Sequence, residues 1–247
     1  VCTDVQKRER GRAELIIEEF MLSANEAAAK TARENNIPFV YRVHENPAPE
    51  KITELLEVID RLNIPHPNFS SVKPAHLAQI LDSVRDTELS PVINNMVLRS
   101  MAKAKYSDEP LGHFGLVLKD YAHFTSPIRR YPDLQIHRII KENLHGGLSP
   151  KRADHYDAIL PDVAVQTSAM ERRAADAERD TDKLKMAEYM EQFVGETFDG
   201  VVSGVTAWGV YVELPNTIEG MVSINNMKGF YTFDEEHYEM VGELGNR

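Results

Sequence analysis

The stretch Thr125-Ser126-Pro127-Ile128-Arg129-Arg130-Tyr131-Pro132-Asp133 sets two hydroxyls, two guanidiniums and a phenol beside two prolines. Guanidinium forks suit phosphate oxygens because their planar donors bind in pairs. Hydroxyls and free backbone N–H groups at a helix start add neutral donors for the same anion. Pro132 suits a first helical position, where its fixed φ fits and its missing N–H is not needed. Between Lys119 and Lys141 there are three Arg and two Lys against two Asp, a local net of +3 in a chain whose formal net charge is -11. The chemistry predicted is a phosphate-binding patch on an acidic background. A solvated arginine pair flanking a structural turn is the plainer alternative.

The elements that must position this patch follow from apolar spacing. Residues 14–35 read as a helix, with Ile17, Phe20, Met21, Ala24 and Ala28 on one stripe and Glu18, Leu22 and Asn25 on the next. Pro38 ends that pattern, and Phe39–Val43 reads as a strand. Helices are expected over about Pro49–Leu62, Pro74–Arg85 and Pro91–Lys103, with Ile64–Ser71 as loop. His113–Phe124 suggests a strand or hairpin feeding the arginine turn. Pro132–Leu144 is the next helix, stopped by Gly146-Gly147, with Ile136, Ile139, Ile140 and Leu144 inward and His137, Arg138 and Lys141 on the other side. From Asp162 to Val194 there is no Gly or Pro, which predicts one helix of about 50 Å at 1.5 Å per residue. Its repeating positions Ala174, Ala177, Thr181 and Leu184 are mostly small, which argues against an ordinary coiled-coil seam of Leu and Ile. At Gly195 the composition changes to Val- and Gly-rich strands over Thr197–Val205, Gly209–Leu214 and Ile218–Ile224.

Of the 247 residues, 42% are apolar and 27% charged, as in an ordinary globular protein. No apolar run reaches the length of about 20 residues that a membrane span needs. The single cysteine, Cys2, excludes an internal disulfide and a cysteine-rich metal site, so a reducing cytoplasm is the simplest compartment. Global acidity argues against indiscriminate nucleic-acid binding, so a nucleic acid would be held in a confined basic channel.

The run His113-Phe114-Gly115-Leu116, then Tyr121, then Thr125 to Leu134 and His137-Arg138, resembles the signature of the RNB family, processive 3′→5′ exoribonucleases of the RNase R and RNase II type. Ile17 to Glu26 and Tyr41-Arg42-Val43-His44-Glu45 resemble the upstream helix and strand of that family. Glu171-Arg172-Arg173 with Ala177-Glu178-Arg179-Asp180 resembles its long late helix. The version Arg129-Arg130-Tyr131-Pro132 leans towards the RNase R type. The pattern from Gly200 to Leu214, then Ile218 to Val222, resembles the OB-fold S1 domain that follows the nuclease core.

The resemblance implies an α+β fold: a mainly helical part of an RNB core with a small sheet over residues 1–194, then an S1-type β-barrel from 195 to 247. An OB-fold has five strands, and only three are read here, so the barrel is expected to be truncated. Function, by the same resemblance, is metal-assisted hydrolysis of single-stranded RNA by a cytoplasmic, monomeric, Mg²⁺-dependent exoribonuclease of which this chain is a fragment. Arg129 would be catalytic, contacting the phosphate at the reacting end. Glu18 would accept from a 2′-OH near the terminal nucleotides, and Glu178 would lie near the last base. Thr125 and Ser126 are candidate RNA contacts, and Trp208 and Tyr211 are candidates to stack on bases. Arg130 and Arg138 either hold phosphate or form structural salt bridges. Ser223 departs from the histidine of many S1 domains.

The family's Asp-rich metal loop is not found here, and by family order it is expected upstream of Val1. The nearest group, Asp176, Glu178, Asp180 and Asp182, is interleaved with Arg173, Arg179 and Lys183 and reads as a salt-bridged helix face. The alternatives to a nuclease are a non-catalytic RNA-binding relative and a helical scaffold.

Overall fold

Apolar spacing over residues 14–35 yields helix α1 (Arg12–Glu34), which is followed by strand β1 (Tyr41–Val43). Helices α2 (Pro49–Arg61), α3 (Pro74–Val84) and α4 (Ser90–Ser100) come next, then strand β2 (Lys105–Ser107). Helices α5 (Tyr131–Leu144) and α6 (Pro150–Met190) precede strands β3 (Val201–Thr206), β4 (Gly209–Glu213) and β5 (Glu219–Ser223). Strands β6 (Tyr231–Asp234) and β7 (Glu239–Gly242) close the order. This computed structural model describes residues 2–243 apart from 7, 9, 88 and 235–238.

The chain divides into two compact units. One comprises residues 10–47 and 102–177 and contains the arginine turn. Its core joins Ala29 and Ala32 of α1, Tyr41 and Val43 of β1, Tyr106 of β2, Ile136 and Ile139 of α5, and Tyr156, Leu160 and Ala164 of α6. β1 and β2 pair antiparallel, with Arg42 opposite Tyr106. The Glu142 carboxylate ties α5 to α6 by accepting two N–H bonds from Arg152, at 2.7 and 3.0 Å, and the Tyr156 hydroxyl at 2.8 Å.

The buried stripe of α1 is not the expected one. Ile17 and Phe20 are 57% and 69% exposed, whereas Asn25, Ala29 and Ala32 are buried. The adjacent stripe faces the core because only its small side chains let the neighbouring backbone come close. Likewise Leu144 is largely exposed, and His137 turns inward to donate from Nε2 to the Phe124 carbonyl at 2.8 Å. Residues 113–124 form no hairpin. A 3₁₀ turn over Phe114–Leu116 is closed by reciprocal backbone bonds between His113 and Leu118. α6 begins twelve residues before the expected Asp162 and runs through Pro161. Its buried stripe Tyr156, Leu160, Ala164 and Ser168 spans the proline, and that packing offsets a helix penalty of about 3 kcal/mol.

The other unit comprises residues 1–9, 48–101 and 178–247. Helices α2, α3 and α4 bury Ile52, Leu55, Ile59, Leu77, Ile80, Ile93 and Val97. β3, β4 and β5 form an antiparallel meander with a register shift between Val202 and Gly204. At Gly209 a Cβ would fall 2.3 Å from the Val222 carbonyl oxygen, so only glycine permits this strand approach. The expected three strands become five, because β6 and β7 pair as a further antiparallel hairpin. Acidic residues crowd positions 234–239 and break up the apolar alternation that would have revealed them.

Candidate nucleic-acid site

The segment leading into the arginine turn is fixed to α1 at two places. Arg33 donates to the buried Asp120 at 2.6 Å. Eight residues earlier in the helix, buried Asn25 donates to the Tyr121 hydroxyl at 3.1 Å and accepts from the backbone N–H of Phe124 at 2.8 Å and of Thr125 at 3.2 Å. On the other side, the Arg42 N–H donates to the Tyr121 carbonyl at 2.9 Å. The His137 ring stacks on Phe124 with centroids 4.2 Å apart, seating the segment on α5.

The turn itself closes on Ser126. Its carbonyl accepts from the N–H of Arg129 at 3.3 Å and of Arg130 at 3.1 Å, and its own N–H donates to Asp133 Oδ1 at 2.7 Å. Arg130 donates to the same Oδ1 at 2.7 Å, with Asp133 wholly buried and the Arg130 side chain 17% exposed. Three further polar atoms of the turn, Thr125 Oγ1, Arg130 Nε and Asp133 Oδ2, are buried without a partner among the described residues. Ile128 stands 98% exposed at the tip. Arg129 and Arg138 are exposed, and neither side chain has a partner among the described residues. α5 begins at Tyr131, so Pro132 is its second residue rather than its first.

The electrostatics are cationic. His123 sits close to the turn, 2.9 Å from the Tyr106 hydroxyl through Nδ1. Burial, then the charges of Arg130 and Arg42, hold its pKa down at about 3, with Arg129 adding to the effect. His113, which accepts from the Leu116 N–H through Nδ1, is held at about 4 by burial and by neighbouring His44 and Arg42. Arg42 in turn lies over the Tyr106 ring, 4.8 Å from its centroid, and donates to Glu171 at 2.6 Å. His44 donates from Nε2 to the Ala102 carbonyl at 2.7 Å and accepts the Gly115 N–H on Nδ1 at 3.1 Å. His113 and His123 are therefore uncharged near neutral pH, close to the guanidiniums of Arg42 and Arg130.

Among the expected site residues, Thr125, Ser126, Arg129 and Arg130 share this turn, and Arg138 lies on the helix it opens. The N–H groups of Thr125 and Ser126 are already taken by Asn25 and Asp133, so neither is free for an anion. Glu18 lies seven residues before Asn25, two helical turns on the same face of α1 and about 10 Å along its axis. It is exposed and paired with Arg10. Glu178 is an exposed residue of α6 in the other unit. In that unit Trp208 is 60% exposed in the β3–β4 turn, with its indole N–H 3.5 Å from the hydroxyl of half-buried Tyr211. Sequence reasoning assigned no role to Asn25 or Asp133. The signal for Asn25 was an amide seven residues after Glu18 on the helix, and for Asp133 a carboxylate three residues after Arg130.

Among the described residues, no group of three or more His, Cys, Asp and Glu side chains could hold a metal ion. On α6 Asp176 and Asp180 share one face and Glu178 and Asp182 the opposite one, so the four do not converge. The described residues of this chain do not fit a catalytic metal.

Two domain patterns match the chain: the RNB domain over residues 1–146 and the S1 RNA binding domain over 191–241. The chain belongs to the RNB family. This RNB chain is 39% identical over 242 residues to Ribonuclease R 1 of Lactococcus lactis subsp. lactis, covering 97% of itself and 30% of that protein. It is 39% identical over 243 residues to Ribonuclease R of Thermotoga maritima, covering 97% of itself and 34% of that protein. Its structure resembles that of Mycoplasma genitalium RNase R in complex with ribose methylated single-stranded RNA, with a TM-score of 0.84 and 30% identity, over 97% of this chain and 38% of that one. The RNB chain therefore spans about a third of the length of the relatives it matches. No helix among the described residues is long and apolar enough to cross a membrane.

Proposed function

We propose that this RNB chain is the substrate-gripping part of a 3′→5′ exoribonuclease of the RNase R type, followed by an S1 module that guides single-stranded RNA. One observation carries the reading. In a chain of this family, the matched turn presents Arg129 exposed at its surface and without a partner among the described residues, on a backbone pinned from α1 and α5. A guanidinium held there stabilises charge on the oxygens of a transferring phosphoryl group. Glu18 and Glu178 serve the terminal nucleotides, and Arg138 and the Thr125–Ser126 segment line the path. Trp208 and Tyr211 stack on bases further along. We divide these roles between residues 1–194 and 195–247.

Hydrolysis of a phosphodiester by this family implies a metal ion, which we take to be Mg²⁺, supplying an activated water and neutralising charge. We assign its ligands to residues outside this chain, and place the enzyme in the cytoplasm as a monomer. The chain alone should therefore bind single-stranded RNA without hydrolysing it. Incubation of residues 1–247 with end-labelled RNA and Mg²⁺, beside the full-length protein, tests this. Nucleotide release by the full-length protein only supports the reading. Release by residues 1–247 that disappears in Arg129→Ala would overturn the division of labour, and an inactive full-length protein that still binds RNA would favour a non-catalytic relative.

A further inference from the structure

We propose that Asp133 is the positioning residue of the arginine turn and that Arg130 is its counter-ion, leaving Arg129 as the one arginine of the adjacent pair that meets RNA phosphate. The inference rests on the exoribonuclease reading and divides the two arginines that the sequence leaves equivalent. Asp133 is wholly buried, and its Oδ1 receives both the Ser126 N–H and the Arg130 guanidinium at 2.7 Å. Ser126 is also the residue whose carbonyl closes the turn on Arg129 and Arg130. One carboxylate oxygen thus holds the first residue of the turn and the side chain of its last. Arg129, between them, is thrown outward beside the exposed Ile128.

Chemistry separates the two guanidiniums. A buried carboxylate needs its countercharge, so Arg130 is committed inward. Its contact is a single N–H to a single oxygen, with Nε and Asp133 Oδ2 without a partner among the described residues, and is not a fork. A lysine can reproduce one charged donor but cannot reproduce a planar pair. Arg130→Lys should therefore be tolerated where Arg129→Lys is not. Asp133→Asn keeps an oxygen for the Ser126 N–H and loses the charge that holds Arg130. The turn then loosens, and misplacement of Arg129 falls on turnover rather than on strand affinity.

The test uses the full-length protein with single-stranded RNA, reading equilibrium binding across a salt series and single-turnover cleavage. Each phosphate contact to a single strand contributes a slope of about 0.7 in log K against log salt. Arg129→Gln should lower the slope by about that amount, and Arg130→Gln should leave it unchanged. Asp133→Asn should slow single-turnover cleavage by about 10- to 100-fold with RNA affinity within about twofold of the parent. Arg130→Lys should retain most of the parent's cleavage rate. A slope reduced equally by Arg130→Gln would make Arg130 a phosphate ligand, and a parental rate in Asp133→Asn would remove the positioning role. Thermal melts keep the pairing falsifiable if the parent proves unable to cleave RNA. Arg130→Met with Asp133→Asn should then melt above Arg130→Met alone, and a lower melt of the double variant would refute the pair.

Discussion

Asn25 on α1 and Phe124, ninety-nine residues later, are joined by a buried hydrogen bond of 2.8 Å from the Phe124 N–H to the Asn25 amide oxygen. The same oxygen takes the Thr125 N–H, and the amide nitrogen reaches the Tyr121 hydroxyl. A single side chain therefore satisfies three groups of the segment that delivers the arginine turn. Asn25→Leu preserves volume but leaves those groups buried and unpaired, each at a cost of about 1–3 kcal/mol. The expected loss in a urea titration is at least about 2 kcal/mol. A change under about 0.5 kcal/mol would mean that Asn25 does not hold the turn, leaving the Arg33, Arg42 and His137 contacts to do so.

Acid should weaken this unit in two steps. His113 and His123 are held at about 4 and about 3, below the ordinary value near 6.5. The unfolded chain then binds more protons than the folded one between those values, so stability falls as pH drops from about 6.5 towards 4 and 3. Glu142 is held at about 2 by its hydrogen bonds from Arg152 and then Tyr156, and its contribution is lost as pH falls from the carboxylate range through 2. In the other unit His66 has the opposite sign: the hydrogen bond to Asp60 raises its pKa, so its contribution is present at low pH and lost as pH rises through the raised value. Denaturation midpoints from pH 8 to pH 4 should decline below about 6.5, and His123→Phe should flatten that decline. An unchanged slope in the variant would place the titration elsewhere.

Much of this architecture is visible in the residues, and the failures have physical causes. Turn prolines and apolar spacing mark α2, α3, α4 and α5 to within a few residues, because Ile, Leu and Val on one face leave few alternatives. The long helix is harder to bound, since Pro161 looks like a boundary until Tyr156, Leu160 and Ala164 are seen to pack on both sides of it. The inward face of α1 is misread because a buried stripe of Asn25, Ala29 and Ala32 is chemically weaker than the exposed stripe of Ile17 and Phe20. At the arginine turn, residue types announce phosphate chemistry. They do not tell which guanidinium faces inward, because that depends on where the Asp133 carboxylate lies after folding.

Trp208 presents its ring from the β3–β4 turn at 60% exposure, whereas Tyr211 is half-buried in β4. If bases stack here, Trp208→Ala should weaken single-stranded RNA binding by about 1–3 kcal/mol, the usual worth of one base–aromatic contact. Its salt slope should stay unchanged, because no phosphate contact is removed. Tyr211→Phe should bind as the parent does, its ring being kept and its hydroxyl only 3.5 Å from the indole. Filter binding at two salt concentrations distinguishes these. An unaffected Trp208→Ala would remove this edge of the β3–β5 meander from the RNA path.

In the full-length protein, Arg129→Lys should behave more like Arg129→Ala than its charge suggests. Lysine keeps the positive charge at the tip of the turn but loses the planar pair of donors that the proposed contact with two phosphoryl oxygens requires. Where the contact strengthens as charge develops in the transition state, its loss falls on turnover by about 10²–10³-fold. RNA affinity should change little if, as proposed, further phosphate contacts hold the RNA. The turn itself should be undisturbed, since the Arg129 side chain supports nothing among the described residues, and the melting temperature should match the parent's. Single-turnover cleavage, equilibrium binding at fixed salt and a thermal melt on one preparation check all three points. Full turnover in the lysine variant would reduce Arg129 to a positioning charge. A large affinity loss with normal turnover would make it a ground-state clamp on the RNA.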